Sequence, residues 1–250
     1  MGLKVEHVNK TYGTKKVVNN ISFEIDKPSV YGLLGTNGAG KTTTIRMILG
    51  ILKKDSGEIS WNGKEVKRKN VNFGYLPEER GVYPKTKIYD QMMYFAELKG
   101  MKKEKAIEAL NYWAKRLEVE QYINMTPEKL SKGNQQKIQF ITSIIHNPEL
   151  VVLDEPFSGL DPVNTEILKS VIIELIKNGK YIIMSSHQMH SIEEFCSDVL
   201  ILNKGETVLK GNLKQIKEQY NANRVSLSTV ENVDKYIEEL GLKIYNSNCL

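Results

Sequence analysis

The chain has 250 residues, of which 40% are hydrophobic and 26% charged, and its formal net charge is +5. That balance fits an ordinary globular protein with a sizeable core, built as one large domain or two small ones. It excludes a membrane-spanning chain: the longest apolar stretches, such as residues 171–176 with Glu174 inside them, fall far short of the ~20 residues a spanning helix needs.

Met1-Gly2-Leu3-Lys4-Val5-Glu6 has no signal-peptide layout, so an intracellular location is expected. Cys196 and Cys249 have no metal-like spacing and are too few for a disulfide framework. Lysine-rich runs at 64–69 and 102–105 read as solvated faces, and would also suit a surface lying against an anionic leaflet.

Residues 3–8 and 21–25 alternate apolar and polar side chains, as half-buried strands do. Between them, Tyr12-Gly13-Thr14-Lys15 predicts a turn. A short strand over 29–34 runs into a glycine-rich loop, and a helix over 41–49 follows, with Gly50 as its stop. Ile59-Ser60-Trp61-Asn62-Gly63 predicts a hairpin. Over 88–123 the spacing is helical, with Met92, Phe95, Leu98, Ile107, Leu110, Trp113 and Leu117 assigned to the core. Apolar runs at 150–153 and 181–184 predict strands of a parallel sheet covered on both faces. The order predicts an α/β core with an inserted helical subdomain at about 85–145. Beyond Gly211, a helix over 213–220, a strand over 225–228, a helix over 233–240 and a strand over 242–245 suggest a small accessory βαβ-like segment. The expected division is therefore 1–211 and 212–250, and the abrupt end at Asn248-Cys249-Leu250 fits a truncated chain.

Gly35-Thr36-Asn37-Gly38-Ala39-Gly40-Lys41-Thr42 matches G-x-x-x-x-G-K-[ST] in full, between a strand and a helix. The glycines let backbone N–H groups turn inward around phosphate oxygens, and the helix N-terminus adds a favourable dipole. Lys41 can reach the β- and γ-phosphates of a nucleotide, and Thr42 offers a hydroxyl to Mg2+; the loop alone does not choose among kinases, GTPases and ABC ATPases. Downstream, Leu150-Val151-Val152-Leu153-Asp154-Glu155 is a buried strand ending in two carboxylates. Asp154 can hold Mg2+ through water, and Glu155 can orient or deprotonate an attacking water. Two acids at a strand end also occur as plain solubility residues, but the phosphate loop upstream favours chemistry.

Together these residues resemble the ABC ATPase family. Ser158-Gly159-Leu160-Asp161 resembles its D-loop, and Ser185-Ser186-His187 its H-loop. Leu130-Ser131-Lys132-Gly133-Asn134-Gln135-Gln136 stands where the family's Leu-Ser-Gly-Gly-Gln signature belongs, with Lys132 and Asn134 replacing its usual glycine and glutamine. The resemblance covers about residues 3–211. It implies a P-loop ATPase core with a mainly parallel sheet and an antiparallel β subdomain at the N-terminus. It also implies a nucleotide-contact set of Tyr12 (stacking on adenine), Gly35, Thr36, Asn37, Gly38, Ala39, Gly40, Lys41, Thr42, Thr43, Ser131, Gly133 and Asp161. Glu155 and His187 would be catalytic, with Thr42, Glu78 and Asp154 toward Mg2+. Glu78 stands where the family has a glutamine, so a slip by one to Glu79, or pairing with Arg80, stays open.

Gly81-Val82-Tyr83-Pro84-Lys85 resembles the exporter subgroup whose ATPases drive separate membrane subunits. The resemblance therefore implies a homodimer of ATPase subunits in the ATP-bound state. It further implies an integral membrane permease as partner, a peripheral place on the inner face of the cell membrane, and no nucleic acid. An alternative is a soluble ABC ATPase acting on ribosomes or DNA; such relatives usually carry two cassettes or a long coiled-coil insertion. Three other motifs are set aside. Asn203-Lys204-Gly205-Glu206 lacks the Asp of a GTPase base reader and reads as a turn between strands. His187 and His190 lack a third ligand for zinc. Trp61 and Trp113 have no basic-aromatic companions.

Overall fold

The computed structural model describes residues 2–67, 71–79, 81–189 and 193–219. In β1 (Leu3–Tyr12) the buried apolar residues are Leu3, Val5 and Val8. The register shifts between Val5 and Val8, where His7 takes a φ of 50°, so the inward face moves by one residue as at a bulge. β1 pairs antiparallel with β2 (Lys15–Ile25), Leu3 against Ile25 and Tyr12 against Lys15. The expected turn closes this hairpin. Its strands run longer than the expected 3–8 and 21–25, because the polar, largely exposed half near the turn carries no alternation to read.

β3 (Val30–Gly35) leads into α1 (Lys41–Ile48), with Gly50 just beyond the helix end as anticipated. β4 (Ser56–Trp61) pairs with the other edge of β1 and turns through Asn62-Gly63 into β5 (Lys64–Glu65). The result is a four-stranded antiparallel sheet in the order β2-β1-β4-β5. β6 (Phe73–Leu76) precedes the helical insert of α2 (Ile88–Leu98), α3 (Lys103–Arg116) and α4 (Lys132–Ile144). β7 (Leu150–Asp154), α5 (Pro162–Lys177), β8 (Tyr181–Ser186), β9 (Cys196–Asn203) and β10 (Glu206–Asn212) follow. The second sheet has the order β10-β9-β3-β8-β7-β6. Its pairs are parallel except for β10, which returns antiparallel along β9.

All of β7 is buried, and β8 is buried from Ile182 onward, as the continuous apolar runs require. One core cluster joins the sheets: Leu33, Val152, Ile183 and Leu200 of the second and Leu3, Val5, Ile21 and Ile59 of the first share it with Ile45 and Ile48 of α1. Each such fully buried side chain contributes about 1.5–3 kcal/mol. Trp61 pins the join, meeting Phe73 and Tyr181 edge-on while its indole N–H donates to Glu149 Oε2 at 2.8 Å.

The insert corrects one expectation. Met92, Leu110 and Leu117 are buried, but Phe95, Ile107 and Trp113 are only half-buried, and Leu98 is 64% exposed. Ala96, Ala106 and Ala114 take the inner positions instead. Small residues let helices approach closely and displace the bulky side chains to the flanks of the contact. The helical stretch over 88–123 is made of α2 and α3 with a 3-10 turn at Glu120–Tyr122, and a further 3-10 turn follows at Pro127–Lys129.

The chain divides into two units, Met1–Gln215 and Ile216–Leu250. Of the second, the described residues are 216–219, the end of α6 (Leu213–Gln219). The elements expected at 225–228, 233–240 and 242–245 lie outside the described residues. Among the described residues no helix is long and apolar enough to cross a membrane.

Candidate nucleotide site

β3 delivers the chain to Gly35, and α1 takes it up at Lys41. Between them Thr36, Asn37 and Gly38 are exposed and Ala39 is buried, its N–H on the Thr36 carbonyl at 3.1 Å. Gly40 sits at φ 104°, and a Cβ there would meet the Val17 carbonyl oxygen at 2.7 Å; only glycine allows both the conformation and the approach. Around Gly38, at φ 79°, the space is open, so that glycine serves backbone shape alone. α1 begins with no side-chain cap and no acidic residue in its first turn. Its leading N–H groups and positive dipole end therefore have no side chain answering them, the condition an anion site needs. Thr42 and Thr43 are half-buried on this turn, whereas the Thr44 hydroxyl donates to the Gly40 carbonyl at 2.9 Å.

The Lys41 ammonium folds back over the loop. It donates to the carbonyls of Gly35 at 2.7 Å and Thr36 at 3.4 Å, and lies 3.6 Å from Glu155 Oε1. The other Glu155 oxygen, Oε2, is 3.0 Å from Nδ1 of His187. Lys41 and Glu155 are buried, and His187 is exposed. Glu155 takes a φ of 50°, a strained backbone of the kind found at functional positions.

Asp154 ends β7 and is 1% exposed. The Ser185 hydroxyl donates to its Oδ1, while its Oδ2 is buried with no hydrogen-bond partner among the described residues. That oxygen supplies the test of a magnesium ion: it is a hard ligand, and burial leaves it unsatisfied. Among the described residues no cluster of three His, Cys, Asp or Glu could hold a metal unaided. Mg2+ usually binds through one or two carboxylates, waters and substrate phosphates. Asp154 and Thr42 thus fit MgATP more readily than a free ion.

A second group forms where α4 and α5 begin. Ser131 caps α4, its Oγ accepting from the Asn134 N–H at 3.3 Å. Asp161 caps α5, accepting from the Asn164 N–H at 2.8 Å. That backbone bond, with the Asn164 side-chain amide, holds the Asp161 carboxyl below the usual carboxylate range. A Cβ on Gly133 would come within 2.9 Å of Asn164 Nδ2, so the two helix starts touch. Among the described residues no hydrogen bond joins Ser131 or Gly133 to the phosphate loop of the same chain.

Two predicted residues stand apart. Tyr12 is 51% exposed at the hairpin tip, with Lys10 Nζ 5.6 Å from its ring centre. Glu78 is exposed just beyond β6. Burial raises the Tyr75 phenol, and the charges of Asp154 and Glu78 raise it further, so Glu78 shares a field with the strand-end acid. Arg80 lies outside the described residues.

Gln139 and Gln91 escaped the sequence reading, and Ser185, named there within the H-loop resemblance, was given no role of its own. Ser185 joins Asp154 and Glu155. Gln139 of α4 donates to the Glu79 carbonyl at 3.1 Å, tying that helix to the segment carrying Glu78. Gln91 clamps the loop before α2, accepting from the Tyr83 N–H at 2.8 Å and donating to the Tyr83 carbonyl at 2.9 Å and the Thr86 carbonyl at 2.7 Å. The available signal was polarity at interior positions of otherwise apolar elements.

A family model described as ABC transporter matches residues 18–158. An uncharacterised ABC transporter ATP-binding protein of Bacillus subtilis, YhaQ, is 51% identical over 226 residues, covering 90% of this chain and 76% of that protein. Another, MJ1023 of Methanocaldococcus jannaschii, is 49% identical over 214 residues, covering 86% of this chain and 79% of its own length. A solved structure described as the ATP binding subunit of an ABC transporter superposes with a TM-score of 0.81 at 28% identity, over 96% of this chain and 100% of that one. The chain belongs to the ABC transporter family, as an ATP-binding, ATP-hydrolysing subunit.

Proposed function

We propose that this subunit works as half of an ATP-driven dimer that powers export through a separate integral membrane permease. The observation that carries the reading is the charge chain Lys41–Glu155–His187, set beside the orphaned Asp154 Oδ2. Lys41 is engaged by Glu155 and two loop carbonyls. An arriving triphosphate offers Lys41 a stronger, charge-assisted partner. Lys41 and the open N–H groups of residues 35–43 then bind the phosphates, and Tyr12 stacks on adenine. Glu155, released from Lys41, takes a proton from the attacking water, and His187 keeps its carboxylate oriented while reaching toward the γ-phosphate. Thr42, Asp154 and Glu78 would hold Mg2+, which when bound neutralises charge developing on the phosphates.

Ser131, Gly133 and Asp161 serve the second copy in this reading. Among the described residues Ser131 and Gly133 make no hydrogen bond to their own phosphate loop, which supports the reading by leaving them available to nucleotide held by a partner. The permease docks beside α2, where Tyr94 and Leu98 are each more than half exposed, as is Tyr83 in the loop before it; exposed apolar side chains can mark interaction sites. The subunit would sit on the inner face of the membrane through that contact, with residues 212–250 as an accessory segment not needed for nucleotide binding. Glu155→Gln tests the reading: it should bind ATP, hydrolyse it about 10²–10⁴-fold more slowly, and run as a dimer on gel filtration with MgATP. A monomeric variant with wild-type hydrolysis removes both the base and the dimer.

A further inference from the structure

Ser185 sits at an unusual position for a hydroxyl. β8 runs Tyr181-Ile182-Ile183-Met184-Ser185-Ser186, and Ser185 is completely buried. A hydroxyl is costly in such a place unless both its proton and its lone pairs find partners. The parallel register sets Asp154 of β7 directly against Ser185, so the two side chains lie side by side. The Ser185 hydroxyl donates to Asp154 Oδ1, and the Glu155 N–H donates to Ser185 Oγ at 3.0 Å. The direction of both bonds is forced. An ionised carboxylate only accepts and a backbone N–H only donates, so the single Ser185 proton must go to Asp154.

We propose that Ser185 is a positioning residue that aims both carboxylates of the hydrolytic site; this rests on the roles given above to Asp154 and Glu155. By occupying Oδ1 it fixes the rotation of the Asp154 carboxyl and leaves Oδ2, buried and without a partner among the described residues, as the oxygen for the metal. By holding the Glu155 N–H it supports a backbone at φ 50° that would otherwise relax. That backbone places the Glu155 oxygens 3.6 Å from Lys41 Nζ and 3.0 Å from His187 Nδ1. One hydroxyl thus sets the metal-facing acid and the water-facing acid relative to each other. Ser185 itself touches neither nucleotide nor water in this scheme.

The test compares Ser185→Ala, Ser185→Thr and wild type in the full chain, with melting temperature and ADP binding in EDTA as controls. Ser185→Ala should keep ADP affinity within about threefold, because Lys41 and the phosphate loop are untouched. It should bind Mn2+ in the presence of ADP, followed by electron paramagnetic resonance, about 10–100-fold more weakly. Its kcat should fall by a similar factor with KM little changed, since residues that orient a metal's ligands carry effects of this size. Ser185→Thr, which keeps the hydroxyl on a strand-compatible side chain, should recover both. If Ser185→Ala does not fold, Ser185→Cys replaces it, near in shape but a weak hydrogen-bonder, with the same expected losses. Wild-type Mn2+ affinity and kcat in the folded variant lacking the hydroxyl overturn the proposal. So does a folded Ser185→Thr as impaired as Ser185→Ala. If Glu155→Gln hydrolyses ATP normally, the assignment of the base fails instead, whatever Ser185 does.

Discussion

α1 starts at Gly40 with nothing capping its first turn, whereas α4 and α5 start at Ser131 and Asp161, each accepting from the backbone N–H three residues on. The two arrangements suit different tasks. α2 and α3 also lack a side-chain cap, but each carries an acid in its first turn, Asp90 and Glu104; α1 carries none, so its open N–H groups and dipole suit an anion. A capped start is self-sufficient, and can serve an outside phosphate only by adding to its cap or trading it. The long 3.3 Å Ser131 bond is the weaker cap and the easier to trade, beside 2.8 Å at Asp161. The contrast sets an uncapped start at the phosphate loop against capped starts at α4 and α5, and in the proposed reading the α4 end serves a second copy.

The largest effect should come from attacking the uncapped end. Lys41→Ala should abolish tight MgATP binding, since Lys41 is the buried cation at the open helix start. Calorimetry giving affinity within about threefold of wild type would falsify the phosphate-loop assignment. Glu155→Gln comes next, separating binding from turnover as described above.

Ser131→Ala sharpens the contrast from the other side. Loss of the cap should lower stability by about 1 kcal/mol and leave ATP affinity of the isolated subunit unchanged. Its ATP-driven dimerisation, introduced on a Glu155→Gln background and followed by sedimentation, should weaken. Weakened ATP binding by the monomer would place Ser131 in its own subunit's site and erase the distinction.

The smallest effect is a pH dependence at Asp161. Its folded carboxyl lies below the ordinary value of 3.8, so its cap contributes fully above that value and is lost as pH falls through the lowered one. Asp161→Asn should therefore be less stable than wild type at neutral pH, with the gap closing below about pH 4. Parallel urea titrations across pH measure this, and a gap that widens in acid contradicts the cap.

The legible parts of the molecule were those where chemistry dictates residue type at fixed spacing. The phosphate loop and the Asp154-Glu155 pair need glycines, a lysine and carboxylates in one order, and no packing preference imitates that. The buried strands β7 and β8 were legible because uninterrupted apolar runs have few other uses. The insert was harder: its contact face runs through Ala96, Ala106 and Ala114, which carry too little apolar area to stand out beside Phe95 and Leu98. The role of Ser185 was hidden for a different reason. Its partners come from the β7–β8 register, 30 and 31 positions away, and strand order is not written locally. The extension of β1 and β2 toward Tyr12 was also silent, because an exposed hairpin end follows its partner strand and not a hydrophobic pattern.

Gly133 carries a lesson for anyone who mutates this protein. Alanine there would press its methyl against the Asn164 amide of the same chain, at 2.9 Å, before any second subunit arrived. The Asn164 amide ends a side chain that can turn aside, so an inactive Gly133→Ala subunit points first to a lost contact beyond the chain, and the local collision is the reading to exclude. Trimming the obstacle separates the two. In a Gly133→Ala, Asn164→Ala double variant, activity that returns assigns the fault to crowding inside one chain. Activity that stays lost assigns it to what Gly133 meets beyond that chain.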